Sequence, residues 1–395
     1  MSPSAAAAPT SSSSPAPFAH VAFSSGGSHF VASTATGFDV FSCDDSVEHV
    51  RYRCKSTAVV PDGVEVTSAE LSTRSRVAFV ARDTGAAEHC KIYLWKEESD
   101  RKIRLRVTTT PGALGAVGAV RLLGDDVLVA GQEKAALLVG GEIESAEPVA
   151  TGPNPLGLCA LAAGQAAATL VYALPRPEKG AVQVRRSGQS GSVDVQAHSS
   201  SLSCIALSRD GRLLATAGSK GTLVRIFSTN DGTMVQELRR GIDRADIHCI
   251  AFSPDSRWLA VSSDKGTVHV FPVVVGGVDE AIEGGGDNND RDTLVVAPPA
   301  AAPAKVKQGS SLSFLKGYLP SFFRSEWSLA QVRLREGVEY TVEFWRHHPN
   351  TILIAGTDGS FYRCRFDPVN AGEMKQLKHE RFNKKLKKRG QLEEN

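Results

Sequence analysis

The side chains best suited to chemistry are basic and hydroxyl residues at matched positions in two neighbouring stretches of the chain. The first stretch contains His198, Ser219, Lys220 and Thr222, and the second contains Arg244, Ser262, Ser263, Lys265 and Thr267. Arginine forks, hydroxyl donors and a compact ammonium group are the side chains that bind phosphorylated ligands. One Ser-Lys-Gly-Thr alone is a common turn between strands, but its duplication indicates two adjacent anion-binding pockets.

Arg239 and Arg240 lie side by side between these stretches, within Leu238-Arg239-Arg240-Gly241. Successive side chains of an extended chain leave on opposite faces, so the two guanidinium groups cannot serve one pocket. We therefore expect Arg239 to serve the first pocket and Arg240 the second. The alternative is a solvated turn at the end of a strand, with no ligand for either arginine.

The two stretches are copies of one repeat. Cys204-Ile205-Ala206 matches Cys249-Ile250-Ala251, 45 positions further on, and Lys220-Gly221-Thr222 matches Lys265-Gly266-Thr267. A weaker third copy runs over residues 354–362. Repeats of about 40–45 residues, made of short strands and Gly-containing turns, are typical of WD-type β-propeller blades.

The elements that position these residues are short strands. From Phe18 onward, strand-sized runs such as His20–Phe23 and Leu156–Ala160 alternate with turn residues, and no stretch shows a helical period over three turns. At about 43 residues per blade, the chain without its insert over 272–327 accommodates seven blades. We predict an all-β fold, a seven-bladed β-propeller over residues 18–370 that forms one cooperative domain.

Two terminal segments fall outside the predicted propeller. Residues 1–17 form a disordered leader rich in Ala, Ser and Pro, and they lack the basic and apolar regions of a secretory signal. Residues 371–395 form a basic tail. This tail is either solvated, a nuclear-import signal or an anchor to anionic membranes.

The insert over 272–327 begins with a Gly-, Asn- and Pro-rich tether and continues into an apolar tip. The apolar side chains of the tip that fall at helical spacing include Leu315, Leu319, Phe322 and Phe323. They would form one stripe that contacts a membrane or a partner protein. Alternatively, the tip packs back against the side of the propeller.

Composition excludes several classes of function. The formal net charge of +2 argues against a protein held to nucleic acid by its overall field, so we expect no nucleic-acid partner. Seven scattered cysteines without zinc-ligand spacing indicate reduced thiols in a cytosolic or nuclear protein. Enzyme motifs for hydrolysis, nucleotide binding or metal catalysis are missing from the sequence. We therefore predict no catalytic residues, metal or cofactor.

Residues 197–269, with the Leu-Arg-Arg-Gly motif at their centre, resemble the PROPPIN family, also called WIPI proteins, β-propellers that bind polyphosphoinositides in autophagy. Asn154–Cys159, Lys179–Val184 and Ser311–Ser328 also resemble family segments, the last in the form found in plant members. The likeness covers residues 18–370 and is strongest in 197–271.

The resemblance implies two lipid sites at the edges of blades 5 and 6, for phosphatidylinositol 3-phosphate and the 3,5-bisphosphate. The first site would use Lys179, His198, Thr222 and Arg239, and the second Arg240, Arg244, Ser263, Lys265 and Thr267. Gly218 stands where the family usually has Ser, so either Ser219 substitutes from one residue away or the first site is weakened. The insert would be the blade-6 loop that dips into the bilayer beside the sites.

The resemblance implies a non-enzymatic effector that recruits autophagy lipid-transfer or conjugation proteins. We expect a cytoplasmic monomer, peripherally bound to preautophagosomal, endosomal or vacuolar membranes. One basic residue near an anionic surface contributes about 1 kcal/mol, whereas two sites on one rim raise avidity by roughly 10²–10⁴. The alternatives are a scaffold propeller without lipid binding, and nucleic-acid binding through the tail.

Overall fold

The structure is a computed structural model that describes residues 18–43, 51–55, 64–73, 76–83, 90–97, 103–109, 114–141, 147–166, 169–274 and 325–383. Within these ranges the strands form seven sheets, and each sheet is one blade of a β-propeller. The predicted all-β, seven-bladed fold is confirmed. Each blade is an antiparallel meander whose first four strands follow chain order.

Blades 1 to 4 take up the first half of the chain. Blade 1 contains β1 (His20–Phe23), β2 (His29–Thr34), β3 (Gly37–Ser42) and β4 (Arg51–Lys55). Blade 2 contains β5 (Val64–Thr73), β6 (Arg76–Asp83), β7 (Cys90–Glu97) and β8 (Ile103–Thr109). Blade 3 contains β9 (Val117–Leu123), β10 (Asp126–Gly131), β11 (Lys134–Leu138) and β12 (Val149–Ala150), with a 3-10 turn at Val139–Gly141. Blade 4 contains β13 (Ala160–Ala163), β14 (Leu170–Pro175), β15 (Ala181–Arg186) and β16 (Ser192–Gln196).

Blades 5 to 7 complete the ring. Blade 5 contains β17 (Leu202–Leu207), β18 (Leu213–Gly218), β19 (Leu223–Ser228) and β20 (Met234–Arg239), and β24 (Glu326–Trp327) adds to it in parallel. Blade 6 contains β21 (Ile247–Phe252), β22 (Trp258–Ser263), β23 (Thr267–Pro272) and β25 (Ala330–Arg333), with β29 (Gly372–Glu373) in parallel. Blade 7 contains β26 (Tyr340–Phe344), β27 (Thr351–Gly356), β28 (Ser360–Arg365) and β30 (Lys375–Arg381).

The core lies between neighbouring blades. Central strands such as β18 and β27 are buried along their whole length, because a blade packs against each of their faces. They therefore read as continuous apolar runs and do not alternate between apolar and polar residues. Between blades 5 and 6, Ile226 and Leu238 share one cluster with Leu259 and Val261. This packing fixes the seam that carries the candidate pockets.

The repeat is visible in the hydrogen bonds of blades 5 and 6. Ser208 Oγ donates to Asp210 at 2.7 Å, and its counterpart Ser253 donates to Asp255 at 2.6 Å. The amide of Ser219 donates to Ser201 O at 2.7 Å, and the amide of Asp264 donates to Asp246 O at 3.0 Å. The two blades thus have the same backbone frame, as their 45-residue offset predicts.

The C-terminal segment differs from the prediction of a tail that starts at residue 371. Lys375–Arg381 is a strand that pairs with β28 and completes blade 7. The buried ring of Phe382 follows it, 5.0 Å from Phe18 and 4.9 Å from Phe41 between ring centroids. The strand was missed because its side chains are exposed or half-buried, and the residue that belongs to the core, Phe382, follows it.

The segment Leu156–Ala160, predicted as a strand, is mostly a turn. The strand begins at Ala160, and Gly157 has a φ of +61°, which a strand does not accept. Asn154 stabilises this turn, since its Oδ1 accepts the Leu158 amide at 2.8 Å and its Nδ2 donates to Leu158 O at 3.1 Å.

The predicted leader and most of the predicted insert lie outside the described residues, as does the tail after residue 383. Cys43, Cys159, Cys204, Cys249 and Cys364 are free thiols. No helix among the described residues is long and apolar enough to cross a membrane.

Candidate functional site

The candidate site is built from three connections at one end of blades 5 and 6. They are the β18–β19 turn, the β22–β23 turn and residues 240–246 between β20 and β21, which we name the rim turn. The rim turn joins the other two, because Ala245 N donates to Lys220 O at 3.2 Å and Asp264 N donates to Asp246 O at 3.0 Å. The duplicated sequence motifs therefore lie on either side of the rim turn.

Arg239, the last residue of β20, is 8% exposed. Its Nη2 donates to Ser325 Oγ at 3.2 Å, and Ser325 Oγ donates to Glu237 Oε1 at 2.7 Å. Arg225 neutralises Glu237 through two contacts of 2.9 Å, and its Nη1 donates to Ala197 O at 2.6 Å. We name the surroundings of Arg239 the first pocket, which holds a carboxylate already paired with a second arginine.

His198 lies in the first pocket as a neutral imidazole. Its Nε2 is 3.0 Å from Thr216 Oγ1, and both side chains are buried. Burial, and secondly the charge of Arg225, lower the pKa of His198 to about 4. His198 N also donates to Gly180 O at 3.0 Å, which places the turn of the exposed Lys179 beside this residue.

The space beside Gly218 is occupied by its neighbours. A β-carbon at this position would lie 2.5 Å from Ser200 Oγ and 3.1 Å from two atoms of the His198 ring. The Ser200 hydroxyl thus occupies the space that a serine side chain at position 218 would need. Ser219 is half-buried, and its amide is used in the bond to Ser201 O.

Arg240 is 7% exposed and is directed away from Arg239 and its partners. Its Nε donates to Gly221 O at 2.9 Å, and its Nη2 donates to Asp243 O. Burial lowers its pKa, but an arginine retains its charge at neutral pH. We name the surroundings of Arg240 the second pocket.

The second pocket also contains a buried histidine. Burial, and secondly the charge of Arg240, lower the pKa of His269 to about 4, and His269 Nδ1 is 3.0 Å from Ser328 Oγ. The hydroxyls of Ser263 and Thr267 are 3.4 Å apart. Lys265 is exposed and pairs with Asp264 at 3.1 Å.

Most residues predicted from the sequence fall into this region. Thr222 O accepts the Arg240 amide at 3.0 Å, which places Thr222 between the pockets, and Arg244 is exposed on the rim turn. Four predicted membrane-contact residues lie outside the described residues, namely Leu315, Leu319, Phe322 and Phe323.

Sequence reasoning missed Arg225, Glu237, Ser325 and His269. Arg225 and Glu237 are directly opposite in the β19–β20 pair, so an opposite-charge pair across a predicted hairpin was a usable signal. Ser325 gave no such signal, because it is 86 positions from Arg239.

Both ends of the insert are attached to β20. Gln236 Nε2 donates to Pro272 O at 3.1 Å and to Glu326 Oε2 at 2.7 Å, and Val274 N donates to Gln236 Oε1 at 3.1 Å. The chain therefore leaves the described fold beside Gln236, at the end of β23 opposite the β22–β23 turn, and re-enters it beside Arg239.

The sequence matches the family described as PROPPIN over residues 143–280, which include Arg239, Arg240, His198 and His269. Autophagy-related protein 18e of Arabidopsis thaliana is 33% identical over 359 residues, which cover 90% of this chain and 85% of that protein. The chain belongs to the PROPPIN family. A second relative of this PROPPIN, Autophagy-related protein 18 of Yarrowia lipolytica, is 28% identical over 297 residues, covering 65% of this chain and 72% of that protein.

Solved structures share the fold of this PROPPIN. Kluyveromyces lactis Hsv2 superposes with a TM-score of 0.65 at 20% identity, over 93% of this chain and 99% of that one. A complex of KlAtg21 with the coiled coil of AgAtg16 superposes with a TM-score of 0.62 at 18% identity, over 92% of this chain and 98% of that one. At these identities the likeness establishes the propeller and nothing finer.

Proposed function

We propose that this PROPPIN is a non-enzymatic effector that binds phosphatidylinositol 3-phosphate and phosphatidylinositol 3,5-bisphosphate through two pockets of the rim. The observation that carries the proposal is the divergence of Arg239 and Arg240. Adjacent in sequence, they donate to different elements, Ser325 on one side and Gly221 O with Asp243 O on the other. Each arginine has a buried histidine and hydroxyl groups nearby.

The chemistry of the pockets suits a phosphate monoester. Charge-assisted hydrogen bonds from guanidinium groups are stronger than neutral ones, and a partly dehydrated site strengthens them further. A neutral histidine adds a hydrogen-bonding group without adding charge. The exposed Lys179, Arg244 and Lys265 would attract the headgroup before it enters a pocket.

Family membership supports a role in autophagy. We propose that the protein recruits autophagy lipid-transfer or conjugation proteins to preautophagosomal, endosomal or vacuolar membranes. The insert would add membrane contact through Leu315, Leu319, Phe322 and Phe323, and the bond of Ser325, at the C-terminal end of the insert, to Arg239 supports this role. Replacing Phe322 and Phe323 by Asp should weaken vesicle binding without changing affinity for a soluble headgroup.

Vesicle flotation tests the proposal. The protein should float with vesicles that contain phosphatidylinositol 3-phosphate and not with vesicles that lack it. Replacing both Arg239 and Arg240 by Thr should abolish flotation. A matched control replaces Arg209 and Arg257, two exposed arginines at the other end of blades 5 and 6, so that net charge falls equally. Equal flotation with and without the lipid would refute lipid recognition.

A scaffold propeller without lipid binding is the second candidate, and the contacts of Arg240 favour it. The Arg240 side chain donates to two backbone carbonyls, as a purely structural arginine does. We therefore expect the double arginine variant to lose some thermal stability. Headgroup titration distinguishes the candidates, since a scaffold role predicts that the wild-type protein binds no headgroup.

A further inference from the structure

Two apolar side chains on either side of the arginine pair are exposed to solvent. Ile242, at the tip of the rim turn, is 70% exposed, the largest fraction among the large apolar side chains that the structure describes. Trp327 is 46% exposed, and it pairs with Arg239 across β20 and β24. A single exposed apolar residue is ordinary on a protein surface, but two beside two anion-binding arginines form a pattern.

Hydrogen bonds hold the rim turn on both sides of Ile242. The Arg240 side chain donates to Gly221 O in the β18–β19 turn and to Asp243 O in the rim turn itself. After Ile242, Ala245 N donates to Lys220 O at 3.2 Å and Asp246 N to Asp264 Oδ1 at 2.9 Å. The rim turn is therefore fastened on both sides of its tip, and its apolar side chain stays in water until another surface covers it.

The surroundings indicate which surface that is. Three exposed cations lie in or beside the rim turn, namely Lys220, Arg244 and Lys265. Three aspartates lie among them, Asp243, Asp246 and Asp264, of which Asp264 pairs with Lys265. Basic side chains around a small apolar contact suit the interface of an anionic bilayer, where apolar groups leave water and cations meet lipid phosphates. Tryptophan prefers this interface because its ring is apolar and its N–H is polar.

We propose that Ile242 and Trp327 are membrane contacts that enter the bilayer interface between and beside the two bound headgroups. This inference rests on the proposed lipid-binding function and adds two contacts outside the apolar tip of the insert. Because the rim turn touches the turns of both pockets, a flat surface that reaches both pockets also reaches Ile242.

Tryptophan fluorescence tests the contact of Trp327 directly. Of the four tryptophans, Trp95 and Trp345 are buried and Trp258 is half-buried, so Trp327 is the one most open to a change of solvent. Vesicles of phosphatidylcholine with phosphatidylinositol 3-phosphate should shift the emission to the blue, and a soluble inositol 1,3-bisphosphate headgroup should not. Trp327→Phe should remove the shift and retain most of the vesicle binding. An unshifted spectrum of vesicle-bound protein, or the same shift with the soluble headgroup, would overturn the role of Trp327.

Vesicle partition of Ile242→Ser tests the second contact. If Ile242 enters the bilayer, its replacement by serine should lower partition into vesicles about tenfold. Calorimetry with the soluble headgroup should still give the wild-type affinity. Met234→Ser is the matched control, because Met234 is 57% exposed at the opposite end of β20 and should have no effect. Equal partition of the Ile242 and Met234 variants would refute the contact. If wild-type protein binds neither vesicles nor headgroup, the proposed function itself fails.

Discussion

The first and second pockets share one backbone frame but not one set of side chains. Counterparts 45 positions apart make the same turn bonds in blades 5 and 6. In the second pocket, Ser263 and Thr267 belong to the same hairpin. In the first, Gly218 replaces that serine, Ser200 fills the space, and Ser325 arrives from 86 positions away. Equivalent positions in a repeat thus need not form equivalent pockets.

The two arginines differ in what holds them. Arg240 is held by the carbonyls of Gly221 and Asp243, so backbone geometry determines its position. Arg239 donates to a serine hydroxyl, which in turn donates to a carboxylate paired with Arg225. We therefore expect the first pocket to be more sensitive to side-chain substitutions and the second to changes in the backbone of the rim turn.

Separate truncation of the two arginines should give the largest effect. Arg239→Ala and Arg240→Ala should each reduce headgroup stoichiometry from two to one, measured by calorimetry. Arg240→Ala should also lower the free energy of unfolding by about 1–3 kcal/mol, because it leaves two backbone carbonyls without their donor. Denaturant titration measures that loss. Stoichiometry that stays at two in either variant would contradict the assignment of one arginine to each pocket.

Moving the serine from position 200 to position 218 should have the next largest effect on headgroup binding. Gly218→Ser should weaken headgroup binding at the first pocket about tenfold, a cost of about 1.4 kcal/mol, because the new side chain displaces Ser200 and His198. Adding Ser200→Ala gives both positions the residues of their blade-6 counterparts, Ser263 for position 218 and Ala245 for position 200. This double variant should regain most of the affinity. If Gly218→Ser alone strengthens binding, Gly218 is a lost hydroxyl and not a steric requirement.

Removal of the hydroxyl at position 325 should have a smaller effect confined to the first pocket. Ser325→Ala should weaken headgroup binding there about fivefold, since a net hydrogen bond is worth about 1 kcal/mol. Ser325→Thr, which keeps the hydroxyl, should retain binding. Calorimetry in an Arg240→Ala background isolates the first pocket. An equal loss at the second pocket, measured in an Arg239→Ala background, would indicate a general structural defect.

Acidification should have the smallest effect, a loss of folding stability to which the histidines of the two pockets contribute equally. His198 and His269 have pKa values of about 4 in the folded protein, below the unfolded value of 6.5. The unfolded state therefore takes up protons first as pH falls, and each histidine should lower stability by about 0.8 kcal/mol between pH 7.5 and 6. His198→Gln and His269→Gln should each remove that share from the pH dependence of urea unfolding. Unequal shares would show that the two histidines are not equivalent.

Much of this molecule was predictable from local pattern. The 45-residue repeat, the turn residues and the apolar runs predicted seven blades, because each blade must bury its faces against its neighbours. The opposite faces of Arg239 and Arg240 followed from strand geometry. The strand Lys375–Arg381 was missed because its side chains are largely exposed, and its register depends on pairing with β28.

The sequence by itself determined the propeller, the repeat and the divergence of Arg239 and Arg240, since all three depend on neighbours in the chain. Only the tertiary structure decided what surrounds each arginine. Ser325 reaches Arg239 because the chain returns along β20, and Ser200 lies over Gly218 because blades 4 and 5 meet there. Contacts between residues far apart in sequence have no local signal, and the first pocket is composed mainly of such contacts.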